Sequence, residues 1–328
     1  RENRDGVSAI IAANQQGQLP LALESTGDLT ALQTLEAMPD TTPADIAAKE
    51  ATYATVLQRA RDNRLGHAAN LFVGAVLAPK ADPAALEQTP TSRNLYLALY
   101  TDQAPEQLAE AKQPTRIAAA QQRCRDAHVL HWPLAFPHIF AKGGFDCVLG
   151  NPPWDIVQAR DADTNENQLA REKLWFGEGI YNILSGRRDL YKLFLALAPH
   201  LLTSGGRCGF VVPVGFMFED DCAALRKTLF DRLSVTTLLH IQNAQKSFFP
   251  DVHASYRFVA VCLAKARLDL HRFSTVVKSP SDLASPHWYN VHRNQFDSIL
   301  GEERSAVLFP DIAQADLHQS LSSRLRER

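Results

Sequence analysis

The sequence predicts an α/β protein, a parallel sheet interleaved with helices, preceded by a helical region. Three observations carry this prediction. From about residue 131, short apolar runs bounded by Gly or Pro alternate with helical stretches, the pattern of βαβ units. The first 130 residues are rich in Ala, Gln and Leu, residues that favour helix. The chain of 328 residues is 45% hydrophobic and 21% charged, enough to bury a large core and unlike a disordered chain, a collagen or a highly charged coiled coil.

In chain order, Asp45 to Arg64 carries Ile46, Ala47, Tyr53, Val56 and Leu57 at helical spacing, and Leu71 to Leu77 forms a second apolar stretch. Pro79 and Pro83 interrupt, and a further helix is expected over Pro105 to His128. Residues 1–130 hold no cluster with chemical character and read as a helical insertion or connector. Phe145 to Leu149 is then a strand, Asp189 to Leu202 a helix stopped at Ser204 to Gly206, and Arg207 to Val212 a strand. Ala223 to Leu233 follows as helix, with Val235 to Ile241 and Tyr256 to Leu263 as strands. Beyond about residue 268 the pattern weakens, with Pro280, Pro286 and Pro310 breaking it. The expected units are therefore 1–130, a core over 131–268, and the start of a C-terminal region over 269–328.

A net charge of -2 gives no global attraction to a polyanion, so any nucleic-acid contact has to be local. Five scattered cysteines, with no C-x-x-C pair, suit a reducing, cytoplasmic compartment and no zinc ribbon. The apolar stretches at Leu71 to Ala78 and Phe258 to Ala264 fall far short of the roughly 20 residues that span a bilayer. The chain opens on Arg1 without a signal-peptide core and is expected to be a piece of a longer protein.

Chemistry is expected at Asn151, Pro152, Pro153 and Trp154, directly after the strand FDCVLG. Ligands of open α/β sheets sit beyond the carboxyl ends of the strands. The double proline stiffens the loop and removes two backbone donors, Asn151 adds a side-chain acceptor, and Trp154 adds a π-face. Together they suit a planar group bearing an NH₂. The lone pair of a nucleobase amine is delocalised into its ring. Acceptors at the Asn151 side chain and the Pro152 carbonyl would localise it for attack on an electrophilic methyl, by positioning and preorganised electrostatics alone. A base inside a duplex would have to flip out to reach such a loop.

With HWPLAFPHIF at 131–140, GGFDCVLGNPPWD at 143–155, DLYKLFLALAPHLLTSGGRCGFVVP at 189–213 and FFPDVHASYRFVAVCL at 248–263, the chain resembles the large adenine-specific (N6) DNA methyltransferases of restriction-modification and phage-defence systems. The resemblance implies a Rossmann-like, S-adenosylmethionine-dependent methyltransferase core with catalytic roles for Asn151, Pro152, Pro153 and Trp154. It also implies that Phe194 packs on the cofactor's adenine ring, and that Phe249, with Phe248 beside it, sandwiches the flipped base. Double-stranded DNA is the implied partner, with a nuclease or other defence-system subunits beside it. One departure matters. The family's D-P-x-x-G-S-G type loop has no counterpart in residues 1–130, and Gly143, Gly144, Gly205, Gly206 and Gly209 stand in the wrong order for it. The core is therefore expected to be partial, its first strand and cofactor loop upstream of Arg1 and the piece alone inactive.

Other groups point less far. His128 and His131 lack partners at ligand spacing, and no metal site is expected. Ser255 with His253 lacks the strand-turn-helix setting of a nucleophilic serine. Arg187 and Arg188 read as a solvated loop more readily than as phosphate contacts, and Arg324, Arg326 and Arg328 as a basic end. Two alternatives stand beside the DNA reading: a protein glutamine N5-methyltransferase, whose loop presents a side-chain amide, and a non-catalytic binding fragment.

Overall fold

A computed structural model describes residues 2–15, 27–79, 82–101, 104, 107–156 and 179–293. They fall into two compact units that divide between Lys142 and Gly143.

The first unit is helical: α1 (Glu2–Gln15), α2 (Gly27–Ala37), α3 (Pro43–Asp62), α4 (Arg64–Leu77), α5 (Pro83–Glu87), α6 (Ser92–Tyr100), α7 (Gln113–Asp126), α8 (Trp132–Ala135) and α9 (Pro137–Phe140). Local signals set the boundaries. Thr42 and Asp45 form a capping box ahead of Pro43, and Asn63 closes α3 while its side chain caps α4 through the Gly66 N–H at 2.8 Å. Gly74 lets α4 and α7 touch, since a Cβ there would lie 2.6 Å from that of Ala120. Ala68, Leu71, Ala98, Ile117 and Ala120 fill the seam. The helix expected from Pro105 starts at Gln113 instead. Buried Asn94 and Gln113 clasp each other at 2.6 and 3.0 Å, and Ala111 and Lys112 take φ of 53° and 52° to make the turn. The segment at 131–140, expected in the core, belongs to this unit. It forms two one-turn helices held to α4 by His131 Nε2 and Asn70 Oδ1 at 3.0 Å, and to α2 by His138 and Glu36 at 3.2 Å.

The second unit opens on Gly143 and Gly144, at φ of 97° and 126°. A Cβ on Gly144 would meet the Leu201 carbonyl oxygen at 2.4 Å, so glycine is required there. Six strands follow: β1 (Phe145–Gly150), β2 (Leu202–Pro213), β3 (Ser234–Gln242), β4 (Arg257–Ala264), β5 (Leu270–Ser274) and β6 (Trp288–His292), in the order β1-β2-β4-β3-β5-β6. Helix α10 (Leu190–Leu201) joins β1 to its parallel neighbour β2, and α11 (Ala223–Arg232) joins β2 to β3; α12 (Pro280–Ala284) lies between β5 and β6. The α/β expectation is borne out, with one correction. The sheet is mixed, because β4 runs antiparallel between β2 and β3. The β3–β4 connection, residues 243–256, has only a short 3₁₀ turn and no crossover helix, so the chain must come back beside the strand it left.

One face of the sheet is packed by α10 and α11. Tyr191, Leu195, Ala198, Leu225 and Leu229 meet Phe210, Val212, Val259, Val261 and Leu238, all buried. This core takes in Phe273, Tyr289 and Val291, so β5 and β6 extend the same sheet and the structure places no boundary at 268. Strands of five residues are too short to show a period. Arg324, Arg326 and Arg328 lie outside the described residues.

Candidate functional site

Strand β1 delivers Asn151, Pro152, Pro153 and Trp154 to the carboxyl edge of the sheet. Asn151 and Pro153 are exposed, Pro152 is buried and Trp154 half-buried. Trp154 is pinned by its Nε1–H, which donates to the Val211 carbonyl on β2 at 3.1 Å. Downstream, the loop is tied to the start of α10. The Leu190 N–H donates to the Asp155 carbonyl at 2.9 Å, and Ile156 bridges to Asp189.

Three rings surround Trp154: Phe249 edge-on at 5.9 Å and 76°, Phe258 tilted at 5.7 Å, and Tyr256 nearly parallel at 6.4 Å and 13°. Phe248 packs on Phe258 at 6.1 Å. The structure thus brings together Trp154, Phe248 and Phe249, as the sequence reading requires, and adds Tyr256, Phe258 and Ile241 to them. A cavity of about 340 Å³ opens beside Trp154, lined in part by Pro213, Val214, Phe218, Tyr256 and Arg257.

Phe194 stands apart from this cluster. It is 44% exposed on α10, so it has no place in the core. It lies one helical turn from the residue that ties the loop.

Two supporting groups had no signal in the sequence. Asn243 is fully buried between β3 and the Phe248–Phe249 segment. Its Oδ1 accepts from the Phe248 and Phe249 N–H groups at 3.1 and 3.0 Å, and its Nδ2 donates to the Phe249 and Val252 carbonyls at 2.9 and 2.8 Å. Every polar position of the side chain is used.

The second group is an ion network under the Trp154 loop. Buried Lys192 binds Asp221 at 2.9 Å and Asp189 at 3.2 Å, while Arg187 donates to Asp189 at 2.8 Å and reaches Glu219 at 3.6 Å. Burial, the largest single influence on both groups, favours their neutral forms. The Lys192–Asp221 hydrogen bond and the further hydrogen bonds and charges around it together outweigh it, holding the Asp221 carboxyl below its usual range and raising the Lys192 ammonium. Arg187 is engaged in this network while its side chain stays 47% exposed, in keeping with a solvated loop. Glu219, Asp221 and Cys222 place ligand atoms within 4.8 Å of one another. Asp221 is committed to Lys192, and burial pushes the Cys222 thiol up to about 11, so it carries its proton at neutral pH. His253 and Ser255 share a hydrogen bond at 2.8 Å on an exposed turn.

For S-adenosylmethionine, the described residues fit in part. Phe194, exposed on α10, offers an apolar face for a ring. Among the described residues no Gly-rich turn follows a strand with an acidic side chain suited to ribose hydroxyls.

The model of the Eco57I restriction-modification methylase family matches residues 80–248. A type II methyltransferase of Thermus thermophilus is 34% identical over 85 residues, covering 26% of this chain and 19% of that protein. A protein of Methanocaldococcus jannaschii named as a type II restriction enzyme and methyltransferase is 24% identical over 111 residues, covering 34% of this chain and 8% of that one. The chain thus matches about a fifth or less of the length of these relatives. Among solved structures, a type I restriction-modification methyltransferase subunit from Streptococcus thermophilus is 16% identical, with a TM-score of 0.33 over 59% of this chain and 41% of that one. No helix among the described residues is long and apolar enough to cross a membrane.

Proposed function

The chain belongs to the Eco57I restriction-modification methylase family, and on that premise we propose that it is part of a DNA adenine-N6 methyltransferase of a restriction-modification or phage-defence system. The observation that carries the proposal is the loop at the end of β1. Asn151 stands exposed beside a Trp154 ring fixed by its own hydrogen bond to Val211 and walled by aromatic side chains.

A flipped adenine would stack on Trp154 while its amine donates one hydrogen to the Asn151 side-chain oxygen and the other to the Pro152 carbonyl. Holding both hydrogens to acceptors draws the nitrogen toward tetrahedral geometry and concentrates its lone pair. Asn243 positions the Phe248–Phe249 segment, and the Lys192 network fixes the start of α10, to which the loop is tied. S-adenosylmethionine supplies the methyl group when bound, and Phe194 is the residue here proposed to pack on its adenine. Stacking of the base would contribute about 1 to 3 kcal/mol, which helps offset the cost of extruding it from the duplex. Double-stranded DNA is the proposed partner, with a nuclease or other system subunits as further ones.

Transfer of labelled methyl from S-adenosylmethionine to duplex DNA by the full-length protein tests this reading. Label on DNA is expected. Label on a protein glutamine and none on DNA would replace the reading with the glutamine methyltransferase one.

A further inference from the structure

Among the described residues, two consecutive non-glycine residues take left-handed backbone at two places: Ala111 with Lys112, at φ of 53° and 52°, and Gln245 with Lys246, at 54° and 58°. At the second place the Ser247 N–H donates to the Ala244 carbonyl at 3.2 Å. With two positive φ values this makes a type I′ turn, a position usually filled by Asn and Gly because a Cβ is crowded there.

Packing accounts for the first pair. The Ala111 carbonyl accepts from the Asn94 side chain at 3.0 Å, and Lys112 pairs with Glu87 at 3.1 Å. The second pair has no such inward reason. The turn is held through its backbone and through Ser247: the Lys246 N–H donates to the Asn243 carbonyl at 2.9 Å, and the Ser247 hydroxyl to the Lys278 carbonyl at 3.3 Å. Gln245 and Lys246 are exposed, and their side chains make no hydrogen bond or ion pair among the described residues. Glycine would serve the fold as well, so the lysine calls for a partner outside the chain.

Its place in the sheet says which. Strands β1, β2 and β3 run in one direction, so the turn after β3 stands on the same edge as the Asn151–Trp154 loop after β1. Asn243 ties the two together, because it holds the segment whose Phe249 ring meets Trp154 at 5.9 Å. Two more exposed cations stand on this edge: Lys278, past the end of β5, and Arg257, which opens β4 opposite Gln242. A base extruded to the loop brings its own flanking phosphates to this rim. A chain of net charge -2 can attract them only through a local group of cations.

We propose that Lys246 contacts a backbone phosphate beside the extruded base and so positions the duplex over the Asn151 loop, the strained turn braced by Asn243 holding the lysine outward. The proposal rests on the nucleobase reading of that loop. The contact is to the sugar-phosphate backbone and reads no base sequence, which makes Lys246 a positioning residue.

The test titrates the full-length protein with a fluorescein-labelled DNA duplex, by anisotropy over a range of salt concentrations, and reads N6-methyladenine formation in parallel. Lys246→Gly is expected to bind roughly fivefold to tenfold more weakly at about 0.1 M salt, with the slope of log affinity against log salt shallower by about 1. Its KM for DNA should rise by a similar factor with kcat little changed, and its melting temperature should rise by about 2 °C as the left-handed backbone is relieved. Lys246→Arg should keep the affinity and slope of the wild type. Gln245→Gly relieves the same turn without removing a charge, and should also keep both. Wild-type affinity and slope in Lys246→Gly, an equal loss of slope in Gln245→Gly, or a lower melting temperature in Lys246→Gly would overturn the proposal while DNA methylation by the wild type leaves the reading of the loop in place. No binding or methylation of DNA by the wild-type protein would remove that reading and the contact with it.

Discussion

Asn243 shows how a site depends on a residue that never touches substrate. Four hydrogen bonds to one buried amide hold the Phe248–Phe249 segment, and Asn243→Ala leaves those part-buried backbone groups without their side-chain partner. A loss of about 3 kcal/mol is expected, read by chemical denaturation, with the Trp154–Phe249 contact loosened. His240 acts in the opposite sense. It is buried on β3 with neither ring nitrogen hydrogen-bonded, and burial first, then the charge of Arg257, depresses its pKa from 6.5 to about 4. The unfolded chain takes up this proton near pH 6.5 and the folded chain only near 4. Stability is therefore full above about pH 6.5 and falls by about 3 kcal/mol as pH drops through that window. Denaturation at pH 7 and pH 4.5 should show this difference and His240→Leu should remove most of it. The loop at Asn151 to Trp154 was legible in the sequence because its four residues are contiguous. Asn243 was not, because its partners lie five to nine residues on, in a loop without periodicity.

Among the elements, α10 was legible from its apolar stripe, and its role as anchor was not. Buried Lys192 lies between two carboxylates, and Asp189 is itself 2% exposed. Lys192→Met should cost about 3 to 5 kcal/mol, because it leaves Asp189 and Asp221 with less compensation than burial demands. The same change should reduce methyl transfer by the full-length protein beyond what lost folding explains, since Leu190 ties the loop to this helix; rates measured well below the melting temperature separate the two effects. The direction of β4 escaped the sequence for a different reason. Alternation tells which face a strand buries and says nothing about which way it runs, and the short connection at 243–256 decides that.

For the molecule as a whole, the described residues run from a helical unit to an α/β unit along the chain. The boundary moved to Lys142/Gly143 because the Trp- and Phe-rich segment at 131–140 folds into helices bonded to α2 and α4, and because Gly143 and Gly144 are where the backbone turns into β1. At the other end the sheet continues through β6, whose Tyr289 stacks on Phe273 at 5.8 Å. A net charge of -2 fits this arrangement, since the proposed chemistry depends on aromatic faces and amide acceptors more than on a basic surface.

The central claim is that the loop at Asn151 methylates the amine of adenine in DNA. Its most direct measurement is the amount of N6-methyladenine formed in duplex DNA by the full-length protein with S-adenosylmethionine, wild type against Asn151→Ala. The wild-type protein should produce N6-methyladenine, and Asn151→Ala should produce at least about 100-fold less, as for loss of one preorganised hydrogen-bonding group, with its melting temperature unchanged. No N6-methyladenine from the wild-type protein, or equal amounts from both, would contradict the claim.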